Sequence, residues 1–265
     1  MTIHELKYSN TNTYLIEGNK GRLLFDTGWA GTFPAFCACM GRIDIQVHGI
    51  DYILISHFHP DHMGIAQEIA DVGPDIVVLD VQKDFIHNAD EVFAKEGNRA
   101  FKPIMGRKVR NLRIWDSRAF LHELGIEGEI LHTPGHSNDS ISLSLDDGEL
   151  FVGDLNPLYE LELHKGTQIE ESWNRLLSLD PTTVYYGHAR TGEIGTVSSI
   201  TEERNDHFEL VARIMKYIDK GTSIEKIQRK TGAGITFIED VTRMYLTHQN
   251  VGVQGILDRI EIKGM

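Results

Sequence analysis

Apolar and polar positions along the first half of the chain alternate between strand-like and helix-like spacing. "TYLIEG" and "RLLFDTG" read as strands, "DYILIS" as a fully buried strand, and "GIAQEIADVG" as a short helix closed by Gly73 and Pro74. A second buried strand, "DIVVL", leads into "VQKDFIHNADEVFAKEG", whose spacing predicts a helix. After Gly106 the texture changes to short runs bounded by turn residues. "VRNLRIWDS", "GEILHT", "SISLSLDDG" and "ELFVGDL" are expected strands, followed by a helix near "IEESWNRLLSLD" and a last strand, "TVYYG". Each half thus resembles a strand-rich layer followed by helix. Packed sheet against sheet with helices outside, the halves would form a four-layer α/β/β/α sandwich, which the pattern admits without forcing.

From about Ser198 the spacing is helical throughout, in "TEERNDHFELVARIMKYIDKG", "SIEKIQRKTG" and "FIEDVTRMYLTHQ". The expected organisation is a main domain over residues 1–197 and a helical appendage over 198–265. "TSIEKIQRKTG" and the helix after it have the outline of a helix-turn-helix. The acidic balance of the chain favours a cap, a substrate-pocket element or a homodimerisation element instead.

That balance, a formal net charge of -13 over 265 residues, argues against a broad footprint for nucleic acid or anionic membrane. No apolar run approaches a membrane span and "MTIHELKYSN" lacks the features of a secretory signal, so a cytoplasmic protein is expected. The two cysteines, Cys37 and Cys39, are too close in sequence for an easy disulfide and are read as reduced thiols.

The candidate chemistry lies at strand ends. "SHFHPDHMG" packs His57, His59, Asp61 and His62 into six residues after a buried strand. His57 and His59 project to the same side if the backbone is extended, while Asp61 and His62 fall on the turn entering the helix. Imidazole with carboxylate suits zinc, with iron and manganese also within reach. His136 in "LHTPGHS", Asp154 in "LFVGDLN" and His188 in "VYYGHAR" each follow a glycine at the end of a strand. Singly these are ordinary turn residues; together with the His-rich loop they form a constellation.

On these motifs the chain resembles the metallo-β-lactamase fold superfamily. The H-x-H-x-D-H motif is matched in full by His57, His59, Asp61 and His62, and the later single ligands by His136, Asp154 and His188. The "NTYLI...LLFDTG" opening is also present, with Asp26 matching the carboxylate that stands behind the ligands. The resemblance covers roughly residues 1 to 195 and implies an αββα sandwich with a dinuclear metal site. His57, His59 and His136 would hold one divalent ion, Asp61, His62 and His188 the other, and Asp154 would bridge. It further implies hydrolysis by water activated between two ions, zinc being the expected metal, with Asp61 handling the proton.

Asp154 at the bridging position is similar to the glyoxalase II, lactonase and phosphodiesterase branches, whereas antibiotic-degrading lactamases carry cysteine there. "GDLNPLYE" and "TPGHSNDS" depart from the glyoxalase II and quorum-quenching lactonase patterns. The expected substrate is a small ester, thioester or lactone. A phosphodiesterase or small nuclease, an iron-dependent persulfide dioxygenase and a regulatory binding protein are the alternatives. Tyr159 and Arg190 are candidates for substrate contact, and His132 is read as a strand residue rather than a ligand.

Overall fold

The structure is a computed structural model that describes residues 1–194 and 209–247, apart from the side chains of residues 159, 162, 163, 236, 240, 243, 244, 246 and 247. The chain divides into two compact units, Met1–Gly195 and Thr196–Met265.

Two sheets build the first unit. The first contains β1 (Thr2–Leu6), β2 (Thr13–Glu17), β3 (Arg22–Phe25), β4 (Tyr52–Leu54), β5 (Asp75–Leu79) and β6 (Val109–Leu112), in that spatial order. β1 to β3 are antiparallel, and β3 to β6 run parallel. The second sheet holds β7 (Gly128–His132), β8 (Ile141–Leu145), β9 (Glu149–Phe151), β10 (Thr183–Tyr185) and β11 (Gly192–Glu193), ordered β11-β10-β9-β8-β7. β9 and β10 are its parallel pair.

Strand side chains alternate between the two faces of a sheet. Tyr14, Ile16, Leu23, Phe25, Leu54 and Val77 therefore point inward and meet Ile130, Ile141, Leu143 and Phe151 of the second sheet. Their neighbours Leu15, Leu24, Ile53, Ile76 and Val78 turn outward into a cluster with Phe36 and Met40 of α1 (Phe33–Arg42) and Ile69 of α3 (Ala66–Ala70). Covering on both faces explains why "YILI" and "DIVVL" are continuously apolar. On the far side, Leu150, Val152 and Val184 pack against Trp173 and Leu176 of α6 (Gln168–Leu177), giving helix, sheet, sheet, helix.

Local expectations needed correction at several points, beginning with strands β1 and β11, which no pattern announced. Helix α1 and helix α5 (Ser117–Glu123) had not been expected. "VRNLRIWDS" is strand only to Leu112, because Asp80 accepts the Ile114 amide and the chain turns into a 3-10 segment, Ile114–Asp116. β6 also joins the first sheet, beside β5, and not the second. "VQKDFIHNADEVFAKEG" is α-helical only in α4 (Asp90–Glu96), since turns occupy residues 83–89 and Gly97, at φ +65°, ends the helix.

The described part of the second unit is helical in α7 (209–219), α8 (Ile224–Thr231) and α9 (Ile235–Thr247). Val211, Ile214, Ile227, Ala233, Ile238 and Val241 form its own apolar cluster. The expected helix start over 201–208 lies outside the described residues. Among the described residues, no helix is long and apolar enough to cross a membrane.

Candidate metal centre

Parallel strands deliver their following loops to one edge. Beyond β4 the chain passes Ser56 into His57 and His59, then into the one-turn helix α2 (Pro60–Met63), which carries Asp61 and His62. Beyond β9 comes Asp154, beyond β10 His188, and beyond β7 His136. The two sheets are tied at this point by the Ile141 amide donating to Ser56 O, 2.8 Å, and the adjacent loops by the Gly187 amide donating to Gly153 O, 2.7 Å.

All seven side chains converge, in two groups able to hold a metal ion: His57, His59 and His136, and Asp61, His62, Asp154 and His188. In the first, His59 Nδ1 lies 2.9 Å from His57 Nε2 and 3.1 Å from His136 Nε2. In the second, His188 Nε2 is 2.9 Å from Asp61 Oδ2, and His62 Nε2 is 3.1 Å from Asp154 Oδ1. Asp154 faces both: Oδ1 is also 3.5 Å from His188, while Oδ2 is 3.6 Å from His136 and 3.9 Å from His57. Ligands at about 2.1 Å around a tetrahedral ion stand about 3.4 Å apart, so these separations suit metal binding. His62 Nε2 and Asp154 Oδ1 are moreover buried atoms without a hydrogen-bond partner, as ligand atoms of a metal are.

The opposite nitrogens of three imidazoles are anchored. Asp26 Oδ2 accepts from His62 Nδ1 at 2.8 Å, and Asn10 O accepts from His188 Nδ1 at 3.0 Å. Ser56 Oγ lies 3.1 Å from His57 Nδ1 and itself donates to Asp26 Oδ2 at 2.9 Å. Each anchor sets the tautomer that turns Nε2 into the centre. Gly187 is required by closeness: a methyl there would lie 2.5 Å from Asp154 Oδ1 and 2.8 Å from His62 Cε1. Gly187→Ala is therefore expected to lower stability by about 1–3 kcal/mol, read by urea denaturation. A variant as stable as the parent would refute the crowding.

Charge divides along the same lines. Burial, reinforced by the imidazole of His62, pushes His57 well below its ordinary pKa, and burial lowers His136 as well. Burial also opposes charge on His62, yet Asp154 and Asp26 overcome it and raise His62 well above its ordinary value. His188 is likewise raised against burial, by its hydrogen bond to Asp61 and by Asp154. Burial would raise Asp154, but His62, His188 and His57 hold it far below the usual carboxylate range. The raised values favour protons on His62 and His188 in the ion-free protein, which a bound ion would displace. Zinc uptake at the Asp61, His62, His188 group is expected to release protons at neutral pH. Calorimetry in buffers of different ionisation enthalpy checks this, and a heat independent of buffer would refute it. The same raised values imply stability of the ion-free protein that is full below about pH 6.5 and is lost as pH rises through them.

Asp26 is fully buried behind His62, whose Nδ1 lies 2.8 Å from it. Arg190 is exposed and forms no ion pair among the described residues, and the side chain of Tyr159 lies outside them. His132 Nε2 pairs with Asn138 O at 2.8 Å, away from both groups of ligands. Cys37 and Cys39 are free thiols. Sequence reading missed Ser56, Thr11, Asn12, Gln82 and Asp139, the polar residues that hold the ligand loops. Ser56 and Asn12 had a usable signal, one preceding the His-rich motif and one opening "NTYLI".

A family model described as the Metallo-beta-lactamase superfamily matches residues 7–188, a stretch that contains all seven of these side chains. The chain belongs to the metallo-beta-lactamase superfamily. Its resemblance to curated proteins is moderate. The Beta-lactamase-like protein 2 homolog of Drosophila melanogaster is 28% identical over 205 residues, which are 74% of this chain and 64% of that protein. The Lactamase-like protein GME11357 of Pestalotiopsis microspora is 26% identical over 198 residues, 70% of this chain and 51% of that protein. The Atrochrysone carboxyl ACP thioesterase of Aspergillus fumigatus is 27% identical over 150 residues, 54% of this chain and 29% of that protein. The chain thus spans less than two thirds of the length of each of these relatives. Among solved structures, TTHA1623 in a di-iron-bound form superposes with a TM-score of 0.57 at 25% identity, covering 75% of this chain and 97% of that one. The metallo-beta-lactamase family protein TTHA1429 from Thermus thermophilus gives 0.55 at 19% identity over 99% of this chain and 92% of its own, a likeness of fold.

Proposed function

We propose that this superfamily member is a hydrolase that uses two zinc ions to open a small ester, thioester or lactone. The observation that carries the reading is the division of Asp154, one oxygen toward His62 and His188 and the other toward His57 and His136. In this reading His57, His59 and His136 hold one ion, Asp61, His62 and His188 the other, and Asp154 touches both. A pair of divalent ions there would supply water of lowered pKa and would polarise a carbonyl oxygen. His57 and His62 are fully buried, whereas Asp61, His136 and His188 keep 24, 32 and 34% side-chain exposure. Substrate therefore approaches over Asp61, His136 and His188. Asp61, held ionised by His188 and His62 against the opposing effect of burial, would take the proton of the attacking water and return it to the leaving group. The similarity to a carrier-protein thioesterase makes a thioester the first substrate to try.

A second reading concerns the metal: the di-iron-bound form of TTHA1623 favours iron in the same positions. Metal analysis of protein purified without added metal, followed by assay on a thioester, a lactone and bis-nitrophenyl phosphate, tests both. Two zinc ions per chain with thioester or lactone turnover is the expected result. One iron with oxygen uptake would overturn the proposal, and turnover of the phosphodiester alone would replace it with a phosphodiesterase.

A further inference from the structure

We infer that Asn12 is the positioning residue for the loop that presents His188 to the group of Asp61, His62 and His188, and that a separate clamp at Asp139 holds the loops of His57, His59 and His136; this rests on the two-ion reading above. The segment between β1 and β2 reaches across to the loop that presents His188. Asn12 Nδ2 donates to Tyr186 O at 3.0 Å and to Ala189 O at 2.9 Å, and the Asn12 amide donates to Gly187 O at 2.7 Å. One residue thus binds the carbonyls of three of the four residues from Tyr186 to Ala189. An amide side chain is the group that fits: its two N–H bonds meet two carbonyl oxygens, where a carboxylate would set oxygen against oxygen. The neighbours complete the clamp. Asn10 O accepts from His188 Nδ1 at 3.0 Å, and Thr11 Oγ1 donates to Asp61 O at 2.7 Å.

These bonds reach neither His57, His59 nor His136, which depend on other residues. Asp139 is buried; its Oδ2 accepts the amide of Phe58, between His57 and His59, at 2.7 Å, and its Oδ1 accepts from Ser137 Oγ, next to His136. Gln82, also buried, fixes that clamp from beneath by donating to Ile55 O at 2.9 Å and Asp139 O at 3.2 Å. The two clamps share no residue, so affinity for the two ions is separable by substitutions that leave every ligand in place.

The experiment titrates ion-free full-length protein with zinc against a competing chelator, and with cobalt followed by visible absorption. The binding step that His188→Ala removes marks the Asn12 side. Asn12→Asp is expected to weaken that step by about 10- to 100-fold, with the other step within about twofold of the parent. Asp139→Asn is expected to do the reverse. Thermal unfolding of the ion-free variants checks that they fold, and Thr11→Val, which removes the bond to Asp61 O alone, reads the same contrast if Asn12→Asp does not fold. Equal weakening of both steps, as general loosening would produce, overturns the inference, as does an Asn12→Asp protein with parental affinities. A parent that takes up fewer than two ions per chain defeats the two-ion reading and this inference together.

Discussion

Replacing Asp154 by alanine is expected, on the two-ion hydrolase reading proposed above, to strip both ions from the protein at once and to reduce hydrolysis by roughly a thousandfold or more, the scale of losing several kcal/mol of electrostatic stabilisation. Its carboxylate turns one oxygen to each set of imidazoles, and its side chain is only 13% exposed. Asp154→Asn separates charge from volume, since it keeps the shape and one acceptor oxygen but carries no charge. It is expected to fold and still to lose the ions. In the ion-free protein the depressed Asp154 contributes stability that is present above about pH 4 and is lost as pH falls toward its folded value. Asp154→Asn should therefore flatten the acid side of the stability curve. Metal content and turnover at pH 7 check the first expectation, and acid titration of unfolding free energy checks the second. A variant that retains two ions and full turnover would refute the bridging role.

Asp26→Ala should produce the largest loss of stability of any change near the centre. The carboxylate is completely buried and accepts from the Ser56 amide at 2.7 Å, Ser56 Oγ at 2.9 Å and His62 Nδ1 at 2.8 Å. Truncation leaves those donors buried without an acceptor and removes one of the two carboxylates, after Asp154, that raise the pKa of His62. A buried pair broken from one side costs about 3–5 kcal/mol, a large part of the about 5–15 kcal/mol that holds an ordinary domain together. Urea denaturation of the ion-free variant reads this directly. A change below about 1 kcal/mol would show that Asp26 matters only once ions are bound.

The side chains that converge were legible because their density is chemically improbable in a loop: three imidazoles and a carboxylate within six residues ask for partners elsewhere in the chain. The anchors were not, because Ser56, Asn12 and Asp139 are ordinary polar residues whose tertiary partners lie 30, 177 and 81 residues away along the chain. The same distinction governs the fold. Buried strands such as Asp75–Leu79 announce themselves by unbroken apolar runs, whereas α1 is built from "FPAFCACMGR", where proline, glycine and two cysteines blur the helical spacing. Placing β6 beside β5 depends on a parallel pairing across a long crossover, and no local pattern encodes it.

His57, His59, Asp61 and His62 hang from the first sheet, while His136, Asp154 and His188 hang from the second. Ions held among them would rivet the two layers together along their open edge. The lifetime of the folded chain then becomes a readout of its surroundings, since each tenfold rise in free metal above the dissociation constant adds about 1.4 kcal/mol per site against unfolding. A cell starved of metal would lose such a protein by degradation, beyond the loss of its turnover.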